Sequence, residues 1–407
     1  MSAKRHRLRL GFLPLLDAAV PIVAAARGFA EDEGLELDLV RESSWANIRD
    51  RIAIGHFEAA HMLAPMPIAA SLGLTPIDAP MVVPMALGLG GNAVTVSIPV
   101  WQAIADAGAP GDGDPAKVGA ALKAVIAERA RRGAAALRLG VVHPFSGHRY
   151  ELCYWLAACG IEPERDVALT VLPPPLMADA LAAGRIDGYC VGEPWNTVAA
   201  AEGAGRIVTT KAAIWRSSPE KVLGMRADWA AENRDTVARL LAVLHRASLW
   251  CEAPENRGEL AALLSEPAYL NLPAARLLLG LNGAVMPAAA DAVPDFLIFA
   301  RKAATFPWVS HALWFFSQMV RWGQAPMSAE ALRAARQTYR PDIYRAALGP
   351  LGVPLPRVSA KVEGALEREM PVASSSGRLT LGPDGFFDGL AFDPDAVEAY
   401  VAALIRR

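Results

Sequence analysis

The 407-residue chain is 53% hydrophobic and 20% charged, with 40 basic residues against 42 acidic ones and a net charge of -2. That balance is typical of a globular protein and excludes a broadly basic nucleic-acid surface. A membrane span needs about 18 to 20 uncharged apolar residues, and Pro14, Asp17 and Pro21 interrupt the best candidate.

The length exceeds a single hydrophobic core, so two lobes are expected. The amino terminus reads in two ways. Lys4, Arg5, His6 and Arg7 ahead of LRLGFLPLLDAAVPIVAAA have the basic and apolar regions of an export leader. The same stretch reads as a strand, LRLGFL, and a helix, AAVPIVAAARGF, with Asp17 as N-cap and Pro21 in the first turn. Gly28 and Gly34 end the helix, and LELDLV alternates as the next strand. Residues 8 to 40 thus make a βαβ unit that a cleaved leader would discard, and we adopt the folded reading.

Strand and helix signals keep alternating afterwards. NIRDRIAIGHF is a predicted helix, EAAHMLA a strand, DPAKVGAALKAVIAERARRG a long helix and LRLGVV a strand. GHRYELCYWLAACG, VALTVL, PPLMADALAAG, DGYCVG and EPWNTVAAAEG continue the pattern as helix, strand, helix, strand, helix. Such repeats predict mostly parallel sheets covered by helices. GAPGDGDP, residues 108 to 115, is a loop. From Trp229 to about Arg345 the chain is mainly helical. A tail rich in Pro, Gly and Ser then leads to a last helix, AVEAYVAALIRR.

Several enzyme signatures are absent: the sequence has no GxSxG, HExxH, GxxxxGK[ST] or GxGxxG. Cys153, Cys159, Cys190 and Cys251 form no CxxC pair and no Cys/His metal spacing, and read as inert core thiols. No catalytic residue, metal or cofactor is indicated, so the reading turns to binding.

The positive signals lie at strand-to-helix junctions, where open α/β sheets hold ligands. In HPFSGHRYEL a helix opens near Gly147 with His148 in its first turn, a place suited to an anion; the alternative is a histidine capping its own helix. In CVGEPWN, Gly192 permits close approach and Trp195 offers an aromatic wall or an indole donor, while Glu193 either orients donors or simply favours a first turn. In SSWANIRD, Ser43, Ser44 and Asn47 are caps and Trp45 is the ligand-wall candidate. Met62 and Met66 read as core. FPWVSHALWFFSQMVRWG, residues 306 to 323, reads as helix packing or a partner surface.

Taken in order, SWANIRD, AHMLAPMP, GNAVTVS, PFSGH, VLPPPLM, DGYCVGEPWN, PEKVLGMRADW, FPWVSHALWFFSQMVRWG and FFDGLAFDPDAVEAY resemble the NrtA/CmpA family of nitrate- and bicarbonate-binding proteins along nearly the whole chain. The resemblance implies an α/β fold of the two-lobed periplasmic-binding-protein type II kind, with a double crossover hinge and extra C-terminal helices. It places residues 1–97 and 222–407 in one lobe and 98–221 in an inserted one, with GNAVTVS as the first crossing. The implied anion contacts are Trp45, Asn92, His148, Gly192, Trp195 and Lys221; an asparagine stands at 92, where nitrate-binding members have a glutamine near this turn.

Nitrate has three acceptor oxygens and no proton, so its site needs only donors and positive charge. Lys221 in the cleft fits nitrate or nitrite and argues against a calcium-assisted bicarbonate site. The family serves two roles. Exported members deliver the anion to an ABC transporter for nitrate or bicarbonate; a cytosolic, NasS-like branch holds an ANTAR-type RNA-binding antiterminator (NasT-like) and releases it when nitrate or nitrite binds. Only seven residues precede LRLGFL, with no lipobox cysteine among them, so the expectation is the cytoplasmic sensor, with no direct nucleic-acid contact and no membrane insertion.

Overall fold

The computed structural model describes residues 5–286 and 291–406. Lys4 of the leader-like stretch and Arg407 of the last helix lie outside the described residues. Eleven strands build the body: β1 (His6–Phe12), β2 (Leu35–Arg41), β3 (Ala59–Leu63), β4 (Met81–Ala86), β5 (Leu89–Gly90), β6 (Asn92–Ser97), β7 (Leu137–Val141), β8 (Val167–Val171), β9 (Gly188–Gly192), β10 (Gly205–Thr210) and β11 (Lys221–Arg226).

Ten of them form two five-stranded sheets, ordered β2-β1-β3-β11-β4 and β10-β6-β9-β7-β8, while β5 pairs with the short strand Leu297–Ile298. Each has a parallel trio, as the repeated βα units predict, completed by antiparallel strands: β11 runs against β3 and β4, and β6 against β9 and β10. The sheets are therefore mixed. The antiparallel strands are those by which the chain passes between sheets, a geometry that no period-2 pattern reveals.

The predicted βαβ unit is present. Leu8, Leu10 and Phe12 pair in register with Leu37, Leu39 and Arg41, and the helix Ala19–Ala26 is largely buried against the sheet. The leader-like residues from His6 onward are thus a strand and a core helix. GNAVTVS, expected as a crossing that ends the first lobe at residue 97, is instead strand β6 of the second sheet. The change of sheet falls between Ala86 and Asn92, and the return between Thr210 and Lys221.

Helices Arg234–Glu252, Val309–Arg321, Ala329–Thr338 and Pro341–Leu348 dominate the C-terminal region. The aromatic run is helix packing: Val309 to Met319 are all buried. This region touches both sheet bodies. Tyr339 donates its hydroxyl to the Ala64 carbonyl (3.1 Å), Phe386 stacks on Trp215 (centroids 4.5 Å), and Tyr154 donates to Asp388 (3.0 Å). All four cysteines are free, three of them buried. Among the described residues no helix is long and apolar enough to cross a membrane.

Candidate functional site

Three parts of the chain meet where the two sheets face each other. The first is the turn after β1. Asp17, expected to cap the first helix, does not: Ala18 precedes that helix, and no side chain caps it. Asp17 lies in a single turn, Leu16–Ala18, where its Oδ1 is 2.9 Å from His61 Nε2 and its Oδ2 is 2.7 Å from Lys221 Nζ. Two side chains from the neighbouring strands β3 and β11 hold the carboxylate that a helix end would otherwise have used. Burial drives the Asp17 carboxyl up, but Lys221 and then His61 outweigh it and hold it below the usual range.

Lys221 is no solvated loop lysine. It opens β11, is 1% exposed, lies 2.8 Å from Glu220 Oε1, and sits 5.5 Å from the centre of the Trp45 ring. Glu220 Oε2 accepts from Lys211, whose Nζ also donates to the Pro219 carbonyl (2.7 Å) and lies 2.9 Å from Glu151 Oε1. Asp17, Lys221, Glu220, Lys211 and Glu151 thus form a buried chain in which carboxyl and ammonium groups alternate. Burial would drive the Glu220 carboxyl up, yet Lys211 and Lys221, which hold both its oxygens, keep it well below the usual range.

The second part is the helix Gly147–Ala158. Its N-cap is Ser146, whose Oγ accepts from Arg149 N (3.1 Å), so His148 is not capping its own helix. His148 is fully buried, and burial lowers its pKa to about 3, which leaves the ring neutral. Its Nδ1 lies 3.3 Å from Glu220 Oε1 without hydrogen-bond geometry, and neither ring nitrogen has a hydrogen-bond partner among the described residues. The backbone before it is forced: a Cβ on Gly147 would collide with Glu220 Oε2.

The third part is a cross-strand pair. Asn92 of β6 lies opposite Gly192 of β9, and a Cβ at 192 would stand 3.2 Å from Asn92 Oδ1 and 3.5 Å from Asp17 Oδ2. Asn92 is fully buried, and among the described residues neither end of its amide has a partner. Trp45 begins the helix Trp45–Ala53 behind the cap Ser44, which accepts from Asn47 N (3.2 Å). Its ring is 5.5 Å from that of His61, and its buried indole Nε1 is likewise unpartnered, as is His61 Nδ1.

Five of the six predicted residues are therefore brought together: Trp45, Asn92, His148, Gly192 and Lys221. Trp195 stands apart in its chemistry. Its indole donates to the Pro14 carbonyl (3.2 Å), beside a backbone bond from Leu16 N to the Glu193 carbonyl (2.9 Å). It ties the β9 junction to the turn after β1 and is not a free donor. Glu193 lies beside it, its carboxyl pushed up by burial to about 7 while Thr197 donates to it from backbone and hydroxyl.

Sequence reasoning missed the groups behind these residues: Asp17, His61, Glu151, Lys211 and Glu220. A signal existed for His61, a histidine within the apolar strand EAAHMLA, and for Glu220, next to Lys221. Met62 and Met66 are core, as expected.

Comparison with known proteins agrees with this architecture. The model of the NMT1-like family matches residues 2–265. The nitrate/nitrite binding protein NrtA of Nostoc sp. is 30% identical over 406 residues, covering 98% of this chain and 85% of NrtA. The bicarbonate transport ATP-binding protein CmpC of Synechococcus elongatus is 32% identical over 405 residues, 98% of this chain but 55% of CmpC. The crystal structure of the periplasmic nitrate-binding protein NrtA from Synechocystis PCC 6803 superposes with a TM-score of 0.85 at 27% identity, covering 98% of this chain and 99% of that one. The fold is that of the periplasmic binding proteins, and the NrtA relatives are binding proteins, not enzymes. The chain belongs to the NMT1-like family and, within it, to the NrtA/CmpA group of binding proteins.

Proposed function

We propose that this protein binds a small planar oxyanion, nitrate or nitrite, between its two sheets. The observation that carries the reading is the set of buried donors without partners around Lys221: Trp45 Nε1, His148 Nε2 and the Asn92 amide. A buried donor left unsatisfied costs about 1–3 kcal/mol, so several at one place mark a site that a ligand completes. With His148 neutral, the tautomer carrying hydrogen on Nε2 offers a donor to the anion. Gly192 leaves room beside Asn92, and Lys221 supplies the charge. The names of the relatives, nitrate/nitrite binding and bicarbonate transport, support the ligand class.

The test is a thermal-shift titration with nitrate, nitrite, bicarbonate with and without calcium, and a sulfonate. At 100-fold over its dissociation constant a one-site ligand adds about 2.7 kcal/mol of stability. Stabilisation by nitrate or nitrite is expected; none with either would refute the reading.

We further propose that the bound anion is read inside the cell, with closure around it releasing an RNA-binding antiterminator; the other reading is a transport receptor. The leader-like residues from His6 to Ala26 form β1 and a buried helix, so that stretch belongs to the fold. Ligand must then bind the partner-free state better, and the coupling is reciprocal. Cell fractionation with a pulldown of ligand-free protein tests it: a periplasmic location, or no partner lost on adding nitrate, would reject it.

A further inference from the structure

Glu151 is part of no ligand contact named above, yet it is 2% exposed one turn along the helix from His148. Its Oε1 lies 2.9 Å from Lys211 Nζ, and neither oxygen has hydrogen-bond geometry to any described residue. The groups facing it are Lys211 just after β10, Glu220 just before β11, Lys221 at the start of β11 and the Cys190 thiol of β9, with His148 one turn back on its own helix. The two ammonium groups, Lys211 and Lys221, already answer two carboxylates, Glu220 and Asp17. Both histidines are held toward the neutral form by burial. Glu151 is the third carboxylate of the cluster, and among the described residues no third cation pairs with it.

We infer that Glu151 carries a proton whenever the site holds its anion, so that anion and proton bind together. The inference rests on the oxyanion reading above. With Glu151 ionised, this buried cluster holds a net negative charge before any ligand arrives; with Glu151 protonated it is neutral, and a monoanion adds the first unbalanced charge. Electrostatics in so buried a site favours the protonated state in the complex. Burial pushes the free Glu151 carboxyl up to about 8, against the pull of Lys211, which places the linkage in an accessible range. By thermodynamic linkage, the part of the monoanion affinity that Glu151 controls is flat below about pH 8 and falls about tenfold per pH unit above it. Glu151 thereby acts as a positioning residue for charge.

The experiment is calorimetric titration of the full chain with sodium nitrate at pH 6 and pH 9, each in two buffers of different ionisation enthalpy. The expected result is no proton uptake at pH 6, uptake approaching one proton per anion at pH 9, and a Kd about tenfold weaker at pH 9. Glu151→Gln, neutral at every pH, should bind nitrate with the same Kd at both. Equal wild-type affinity at the two pH values with no proton uptake overturns the inference, as does a Glu151→Gln variant that keeps the wild-type pH fall. No heat with nitrate or nitrite at pH 6 instead overturns the oxyanion reading. Should Glu151→Gln fail to fold, proton uptake by the wild-type chain decides alone.

Discussion

Asp17 and Lys221 meet at 2.7 Å although one follows the first strand and the other opens the strand by which the chain returns to the first sheet. Both are buried, and β3 lies between their strands, contributing His61 to the same carboxylate. Lys221→Met keeps the bulk but leaves Asp17 and part of Glu220 without a cation. Breaking a buried pair on one side costs about 3–5 kcal/mol. Urea unfolding should show that loss, and nitrate affinity should fall at least a hundredfold. Adding Asp17→Asn should restore much of the stability but none of the affinity, which separates charge balance from anion contact.

Trp45 offers a more selective test. Trp45→Phe keeps an aromatic face toward Lys221 and removes only an indole N–H that has no partner among the described residues. Folding should lose little, while a lost hydrogen bond to an ion, worth about 1.5–3 kcal/mol, weakens nitrate by about tenfold or more. Unchanged affinity by calorimetry would place the anion away from Trp45.

The trio strands and most helices were legible because apolar runs and caps are local: Asp114 accepts from Ala116 N and Lys117 N, as DPAKVG promises. What was not legible is set by partners far along the chain. Asp17 has the local look of an N-cap, and only the fold brings His61 and Lys221 to it. Strand β4 hides behind Pro84, tolerated because β4 is an edge of its sheet. Asn92 and Lys221 came from family resemblance and His148 from its strand-to-helix junction as well, whereas nothing local marks Glu151 and Lys211. Their importance arises from burial together, which sequence spacing does not display.

Trp195 should act on closure and not on contact. Its indole bond to the Pro14 carbonyl is worth about 1 kcal/mol, so Trp195→Phe is expected to weaken nitrate about fivefold. Stopped-flow release should carry that change in the dissociation rate, since related complexes differ mainly there. An unchanged release rate would show that this bond does not hold the bound form.

Gly147→Ala tests the helix entrance. The added methyl collides with Glu220 Oε2, and Glu220 cannot swing away while Lys211 and Lys221 hold both its oxygens. The loss should be about 1–3 kcal/mol in urea unfolding, as for overpacking, together with weaker nitrate binding. A variant as stable as the wild type would mean that the carboxylate is less firmly held than its two ion pairs indicate.

The raised Glu151 carboxyl also fixes a sign for stability against pH. Its folded pKa, about 8, lies above the ordinary value of 4.5, so the folded state holds the proton more tightly than the unfolded chain. That contribution is full below the unfolded pKa and is lost as pH rises toward 8. Glu151→Gln lacks it. Relative to wild type, the variant should therefore gain on the order of 2 kcal/mol in urea unfolding between pH 6 and pH 9. Lys211, whose own pKa the two carboxylates raise against burial, stays charged throughout this window and does not mask the effect. If the difference between variant and wild type is the same at both pH values, Glu151 ionises as freely in the fold as in water, and the charge count of the cluster must be redrawn.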